Sequence, residues 1–378
     1  MNLKSLLLSS DEKIVRVLRR TLGDLEISVE HCLSPEIALR HLTRERFEAI
    51  IVDCAGSGSA EVLSSARSAP CNKRAVAVAI LEPGVGLRSA FDIGAHFILY
   101  KPVSPEKARS SFRAARALMK KERRRNSRVA LRIPVEMSCR ETGVRLKANS
   151  ADFGEGGMAV TLPRRIKPQG RWQLSFALPG TSDTVNLEAE FAWEGTGTHV
   201  GLRFLNPSRE HERQLREWLS RNSADVEKDD PPVRCQLTDL TLGGCYLEIS
   251  SPFPVATRVN LSMSAAGVIV RTEGMVRVMH PDQGMGVEFT QRTPQQRALL
   301  EKFLSVLTEN RDLSPELLVE PDSLESEAGE NSKAEAVLEE EDALLELFRN
   351  QSALPPDLFL AELRKQRRLS VSGAGMSA

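Results

Sequence analysis

The sequence predicts a multidomain chain that joins an α/β domain to all-β domains. An N-terminal doubly wound sheet comes first, then two six-stranded antiparallel β-barrels, the second truncated, each with a C-terminal helix, and finally a disordered tail. Three observations predict this. Short apolar runs alternate with stretches of 3.6-residue periodicity as far as residue 122, the apolar period falls to two from Arg132 onward, and the plan of residues 123–222 recurs in residues 233–309. At 378 residues the chain is too long for one ordinary core.

The α/β reading rests on strands expected at Ser5–Ser9, Ile27–His31, Ala49–Val52, Ala75–Leu81 and Phe97–Leu99. Helical patterns fill the intervals, beginning with Asp11–Leu22, where Ile14, Val15, Leu18 and Leu22 share a face. Strands and helices in strict alternation describe a flavodoxin-like, doubly wound domain over residues 1–122. Asp53 lies at the tip of the third strand, Gly94-Ala95 precedes the fifth, and Lys101-Pro102 follows it. On these residues the segment resembles the receiver domain of response regulators. The resemblance implies a phospho-accepting role for Asp53, with Lys101 contacting the phosphoryl oxygens. It departs from the family where an acidic pair should bind Mg²⁺, since Ser9-Ser10 align there and leave only Asp11 nearby; the hydroxyl residue expected after strand four aligns with Ala79. Two serines are poor substitutes for two carboxylates at a divalent ion. The favoured expectation is a pseudo-receiver that docks other proteins, with no bound metal.

Beyond Arg132, strands are expected at Ile133–Arg140, Val144–Ser150, Gly157–Leu162, Trp172–Leu178, Val185–Glu194 and Val200–Phe204, separated by Gly, Pro and Asp turn signals. A helix should follow at Ser208–Ser220, completing a domain over 123–222. An acidic linker, 223–232, leads into the repeat: DFGEGGMAVTL at Asp152–Leu162 matches DLTLGGCYLEI at Asp239–Ile249, and THVGLRF at Thr198–Phe204 matches GMGVEF at Gly284–Phe289. The second copy, 233–309, has no room upstream for a first strand, only acidic residues including Asp229 and Asp230. Residues 310–378 are acidic and rich in Ser and Pro, interrupted by amphipathic patches at 343–348 and 358–363, so the tail is expected to be largely disordered.

The stretch KKERRRNSRVALRIPV, Lys120–Val135, carries Arg123, Arg124, Arg125, Arg128 and Arg132. Arg124 and Arg128 form an R-x-x-x-R arrangement ahead of a strand, and Asp152-Phe153-Gly154-Glu155-Gly156-Gly157 follows it. Isolated R-x-x-x-R is a weak signal, because Arg209 and Arg213 repeat it within a helix. Joined to the second motif and a barrel, however, it resembles the PilZ domain family, whose members bind cyclic di-GMP. That family's second motif is D/N-x-S-x-x-G. Here the serine is replaced by Gly154.

The resemblance implies cyclic di-GMP as ligand, with Arg124 and Arg128 gripping guanine and phosphate, Arg123 or Arg125 assisting, and Asp152 on another guanine edge. The chemistry suits those groups. A guanidinium fork matches guanine O6 and N7 as well as phosphate, and a carboxylate accepts from guanine N1 and N2. Gly154, Gly156 and Gly157 would allow close backbone approach and supply N–H donors. The absent serine hydroxyl should cost on the order of 0.5 to 1.5 kcal/mol. The second copy reverses the pattern, keeping a hydroxyl at Thr241 but lacking an arginine loop ahead of Val233, and is expected not to bind.

Composition narrows the rest. Lys plus Arg equals Asp plus Glu at 51 each, so no global field marks a DNA, RNA or membrane binder. The six cysteines are scattered and the six histidines show no catalytic or metal spacing, so neither catalysis nor a metal site is expected. With no signal-like apolar run at the N-terminus, the expected location is the cytoplasm. The leading expectation is a cyclic di-GMP receptor that acts on a protein partner by altering the joint at 120–132; the alternative is a ligand-independent scaffold of degenerate modules. Self-association through the barrel helices stays open.

Overall fold

The computed structural model describes residues 3–373 apart from 57, 70, 86, 126–127, 140, 167–169, 182–183, 196, 223–229, 291–292, 311–312, 325–341 and 351–355. The chain divides into two compact units, one of residues 1–122 with 229–378 and the other of residues 123–228.

In the first unit, β1 (Leu3–Leu8), β2 (Ile27–Cys32), β3 (Ala49–Asp53), β4 (Val76–Leu81) and β5 (Phe97–Tyr100) form a parallel sheet of order β2-β1-β3-β4-β5. That is the doubly wound order, and the central strands are buried on both faces because helices cover each side. LKSLLL, AIIVD and VAVAIL are therefore near-continuous apolar runs. The helices are α1 (Glu12–Asp24), α2 (Pro35–Arg44), α3 (Ser59–Ser68), α4 (Leu87–Asp92) and α5 (Pro105–Arg125). Asp11 caps α1, its Oδ1 accepting from the N–H groups of Lys13 and Ile14. Asp11, the carboxylate next to Ser9-Ser10, is thus committed to a helix end.

The second unit is a closed barrel in which β7 (Pro134–Cys139), β8 (Arg145–Gly154), β9 (Gly157–Thr161), β10 (Trp172–Ala177), β11 (Thr184–Glu194) and β12 (His199–Leu205) pair in the ring β8-β7-β10-β11-β12-β9, closed by β8–β9. A short strand, β6 (Val129–Ala130), adds to β8. The helix α6 (Arg209–Asn222) brings Leu215, Trp218 and Leu219 into the core. Phe153 sits at the centre, edge-on to Phe176 and Trp218. Strand alternation then sends its neighbour Asp152 outward.

The repeat forms a second closed barrel from β13 (Val233–Leu240), β14 (Gly244–Glu248), β15 (Thr257–Ala265), β16 (Val268–His280), β17 (Gly284–Phe289) and β18 (Glu316–Leu324), with α7 (Pro294–Glu309) preceding the last strand. This corrects the expected truncation. The strand missing upstream of Val233 comes from the other end of the domain: β18 lies between β13 and β15, as β7 lies between β8 and β10. Closure removes a sheet edge that a five-stranded barrel would have left unpaired. The same strand takes residues 316–324 out of the tail that was expected to be largely disordered. ELLVEPDSL looks polar, yet its alternate residues Leu317, Val319, Pro321 and Ser323 are buried. Two further helices, α8 (Ala343–Asn350) and α9 (Pro356–Gly373), follow.

Two β-bulges recur at matching positions. One falls just before the motif aspartate, between Ser150 and Asp152 and between Leu237 and Asp239; the other lies between Phe191 and Trp193 and between Val276 and Val278. Within the first unit, α5 is ion-paired to the second barrel, Arg116 and Lys120 to Asp230 at 2.8 and 2.9 Å and Lys121 to Glu320 at 2.7 Å. Asp230 therefore faces cations of α5, whereas Asp229 lies outside the described residues. No described helix is long and apolar enough to cross a membrane.

Candidate ligand site on the first barrel

The motif Asp152–Gly157 is a tight hairpin joining β8 to β9, with Gly154 opposite Gly157. The β6 register places Ala130 opposite Asp152 and Val129 opposite Phe153, which carries Arg128 to the hairpin. Arg128 Nη1 ion-pairs with Asp152 Oδ1. On the turn, Glu155 lies between two more guanidinium groups, Arg125 at 3.9 Å and Arg216 of α6 at 3.7 Å. The hairpin thus gathers three arginines about two carboxylates.

Arg123, Arg124 and Arg125 form the last turn of α5, which runs two residues past Arg123, and all three are half-buried. Asn126 and Ser127, between them and Arg128, lie outside the described residues. Gly157 has a packing reason of its own, since a Cβ there would stand 2.1 Å from the Leu202 carbonyl oxygen. At Gly156 a Cβ would meet nothing within 4 Å, so that side of the turn is open.

Sequence reasoning missed Arg216, Glu155 and Ser150. Ser150 is buried, and its Oγ accepts from the Ile133 N–H at 2.9 Å while donating to the Leu131 carbonyl. This clamps the chain immediately after Arg128 against β8. A serine on the inward face of a strand whose inward neighbours are Ala148 and Phe153 was the available signal.

The second hairpin, Asp239–Gly244, has the same scaffold with different chemistry. Gly243 carbonyl oxygen accepts from Phe289 N–H at 2.8 Å, as Gly156 accepts from Phe204 at 3.0 Å. Thr241 Oγ1 accepts from the N–H groups of Gly243 and Gly244 at 3.3 and 3.2 Å, a role that Gly154 cannot fill. Asp342, from the segment preceding α8, lies against this turn.

At the receiver-like site, Asp53 is buried; its Oδ2 accepts from Ser9 Oγ at 3.0 Å, and its Oδ1 pairs with Lys101 Nζ at 2.9 Å. Glu82 also pairs with Lys101, at 3.1 Å. Burial works to lower the Lys101 pKa, but Asp53 and Glu82 more than offset it and leave it raised. Ala79 is a buried mid-strand residue opposite Val52 and Ile98, whereas Glu82 directly follows β4. The expected alignment of Ala79 with the post-strand position is therefore corrected to Glu82. Among the described residues no group of three His, Cys, Asp or Glu is placed to hold a metal ion.

Residues 122–221 and 220–305 each match the PilZ domain family. No curated protein matches the chain. Among solved structures it is similar to the PilZ domain of CeSA from a cellulose-synthesizing bacterium, at 19% identity over 25% of this chain and 95% of that one, with a TM-score of 0.21. It is also similar to the chemotaxis response regulator CheY4 of Vibrio cholerae, at 21% identity over 30% and 99% with a TM-score of 0.28. A CheY-like receiver domain protein from Methanospirillum hungatei matches at 17% identity over 32% and 99%, TM-score 0.29. Behind a doubly wound α/β domain, the chain carries two tandem regions that match the PilZ domain family, a family of the cyclic di-GMP-binding type.

Proposed function

We propose that this protein is a cyclic di-GMP receptor whose ligand binds at the first PilZ domain. The observation that carries the reading is the hairpin cluster, in which Arg125, Arg128 and Arg216 are held on Asp152 and Glu155. Guanidinium groups paired to carboxylates can exchange them for ligand phosphate or a guanine Hoogsteen edge without being newly desolvated. Freed from Arg128, Asp152 can accept from guanine N1 and N2. Arg123 and Arg124 extend the cationic wall, and the open side of Gly156 admits the ligand. No reaction is proposed.

The same arginines connect to the output. Arg123, Arg124 and Arg125 end α5, whose earlier turns are ion-paired through Arg116 and Lys120 to Asp230, just ahead of β13, and through Lys121 to Glu320 of β18. Ligand that reorders Arg123–Arg128 therefore acts on the end of α5, the differential effect a switch requires. A protein partner would read that change. Calorimetric titration of the full chain with cyclic di-GMP tests the proposal. Saturable heat in the wild type, reduced at least tenfold in affinity by Arg128→Ala and by Asp152→Ala, is expected. Equal binding by all three, or none by any, supports the ligand-independent scaffold instead.

For the N-terminal domain we propose docking rather than phosphorylation. Ser9 occupies the place of a metal-binding carboxylate, Asp11 is committed to capping α1, and Asp53 is paired to Lys101. Incubation with acetyl phosphate and Mg²⁺ should leave the chain unlabelled. Incorporation that disappears in Asp53→Ala would establish phosphorylation.

A further inference from the structure

The outer face of the second barrel around its motif hairpin is covered by the chain's own C-terminal helices. Asp342 Oδ2 accepts from Thr241 Oγ1 at 2.8 Å and from the Gly243 N–H at 3.1 Å. Its Oδ1 accepts from the N–H groups of Leu344 and Leu345 at 3.1 and 3.3 Å, so one carboxylate caps α8 and fastens it to the motif turn. Behind this anchor Leu345 lies on Gly243 and Gly244, where a Cβ would come within 2.6 and 3.2 Å of it, and Phe348 lies on Gly286, where a Cβ would come within 2.5 Å. Phe359 of α9 completes the cover, 4.7 Å from the His280 ring and 5.5 Å from Tyr246.

Two features distinguish this cover from a part of the core. The barrel interior is filled without it: Cys245, Leu247, Val276 and Val287 belong to the main apolar cluster, whereas the helices pack with Tyr246 and Val278 in a separate outer one. The covered face also bears polar groups. Tyr246 Oη hydrogen-bonds His280 Nδ1 at 2.9 Å, and His280 Nε2 is buried with no hydrogen-bond partner among the described residues. An unpaired buried nitrogen weakens the cover and would be satisfied by water once it lifted.

We propose that this face is a docking surface for an amphipathic helix with an acidic N-cap, and that Asp342 with α8 and the first turns of α9 holds it in cis as an exchangeable plug. The complementarity is specific: a carboxylate for the Thr241 and Gly243 donors, Leu345 and Phe348 for three glycines. Release bares the surface and the apolar side of α8 and α9 together. A tethered segment acts at a high effective concentration, so a free peptide competes poorly until the cis segment is disabled.

The test uses a fluorescent synthetic peptide of residues 342–365 titrated into the full chain and into an Asp342→Lys, Phe348→Glu double variant, whose changes lie in the plug and not in the barrel. The expected result is saturable binding to the variant, at least tenfold tighter than to the wild type, and at least tenfold weaker for a peptide carrying Asp342→Asn. Equal binding to both proteins, or to neither, overturns the proposal. Hydrogen exchange on the variant supplies a second measurement. Amides of β14 and β17 should stay protected, and their loss would make the helices part of the fold and end the idea of a plug.

Discussion

The two PilZ hairpins are built alike and furnished differently. Each follows a β-bulge, each offers a glycine carbonyl to the phenylalanine of the strand beside it, and each ends on a glycine pressed against a carbonyl oxygen, Gly157 on Leu202 at 2.1 Å and Gly244 on Val287 at 2.5 Å from the notional Cβ. The first turn is surrounded by Arg125, Arg128 and Arg216; the second presents Thr241 and an N–H group to Asp342. The outward side chain after the motif is Ala159 in one and Tyr246 in the other. Over the paired glycines lie Trp193 on Gly201, half-exposed, and Phe348 on Gly286, buried. The lesson is that duplication kept the geometry of a loop while its surroundings changed, from arginines about the first turn to a carboxylate of the segment before α8 on the second.

The largest expected difference is in acid. His280 has no titratable counterpart at the matching position, which is Gly195. Burial pushes its pKa down to about 4. A histidine whose folded pKa lies below the unfolded value near 6.5 stabilises the folded state above that value. The contribution falls away as pH drops from about 6.5 through about 4, a loss of roughly 3 kcal/mol at most. The second domain should therefore lose amide protection over that window more steeply than the first, and His280→Phe should flatten the difference. Equal acid profiles in wild type and variant would remove His280 from the account.

Next in size are the packing glycines. Gly157→Ala should destabilise the first barrel by about 1–3 kcal/mol, seen as a lower unfolding temperature, and would impair ligand only through the fold. Gly156→Ala, with nothing within 4 Å of the new methyl, should leave stability nearly unchanged and so separates the two glycines. Smaller still is the contrast at the motif hydroxyl. Gly154→Ser should let the first turn make the bonds Thr241 makes in the second, tightening cyclic di-GMP by up to about tenfold. A calorimetric affinity that weakens instead would mean that the turn has adapted to the missing hydroxyl.

Much of this was legible in the sequence because the signals were periodic. Buried runs such as VAVAIL dictated the parallel sheet, and the matched segments DFGEGGMAVTL and DLTLGGCYLEI dictated the duplication. The closing strand of the second barrel was not legible. ELLVEPDSL alternates correctly, but three of its outward residues, Glu316, Glu320 and Asp322, are acidic, and it follows its domain's helix instead of preceding the first strand. Local pattern cannot report a strand that enters the ring from the opposite end of a domain. At the site, the R-x-x-x-R spacing pointed to Arg124 and Arg128, while Arg216 and Ser150 are distant in sequence and come to the arginine segment only through the fold. Asp342 was hidden for the same reason, at the end of an acidic run whose composition argues against structure.

The central claim is that the first hairpin takes cyclic di-GMP and the second does not. Hydrogen exchange on the full chain with and without the ligand tests it most directly. The account predicts new protection confined to residues 124–132 and 152–157, with 239–244 unchanged. Protection at 239–244, or none at 152–157 under saturating ligand, would contradict it.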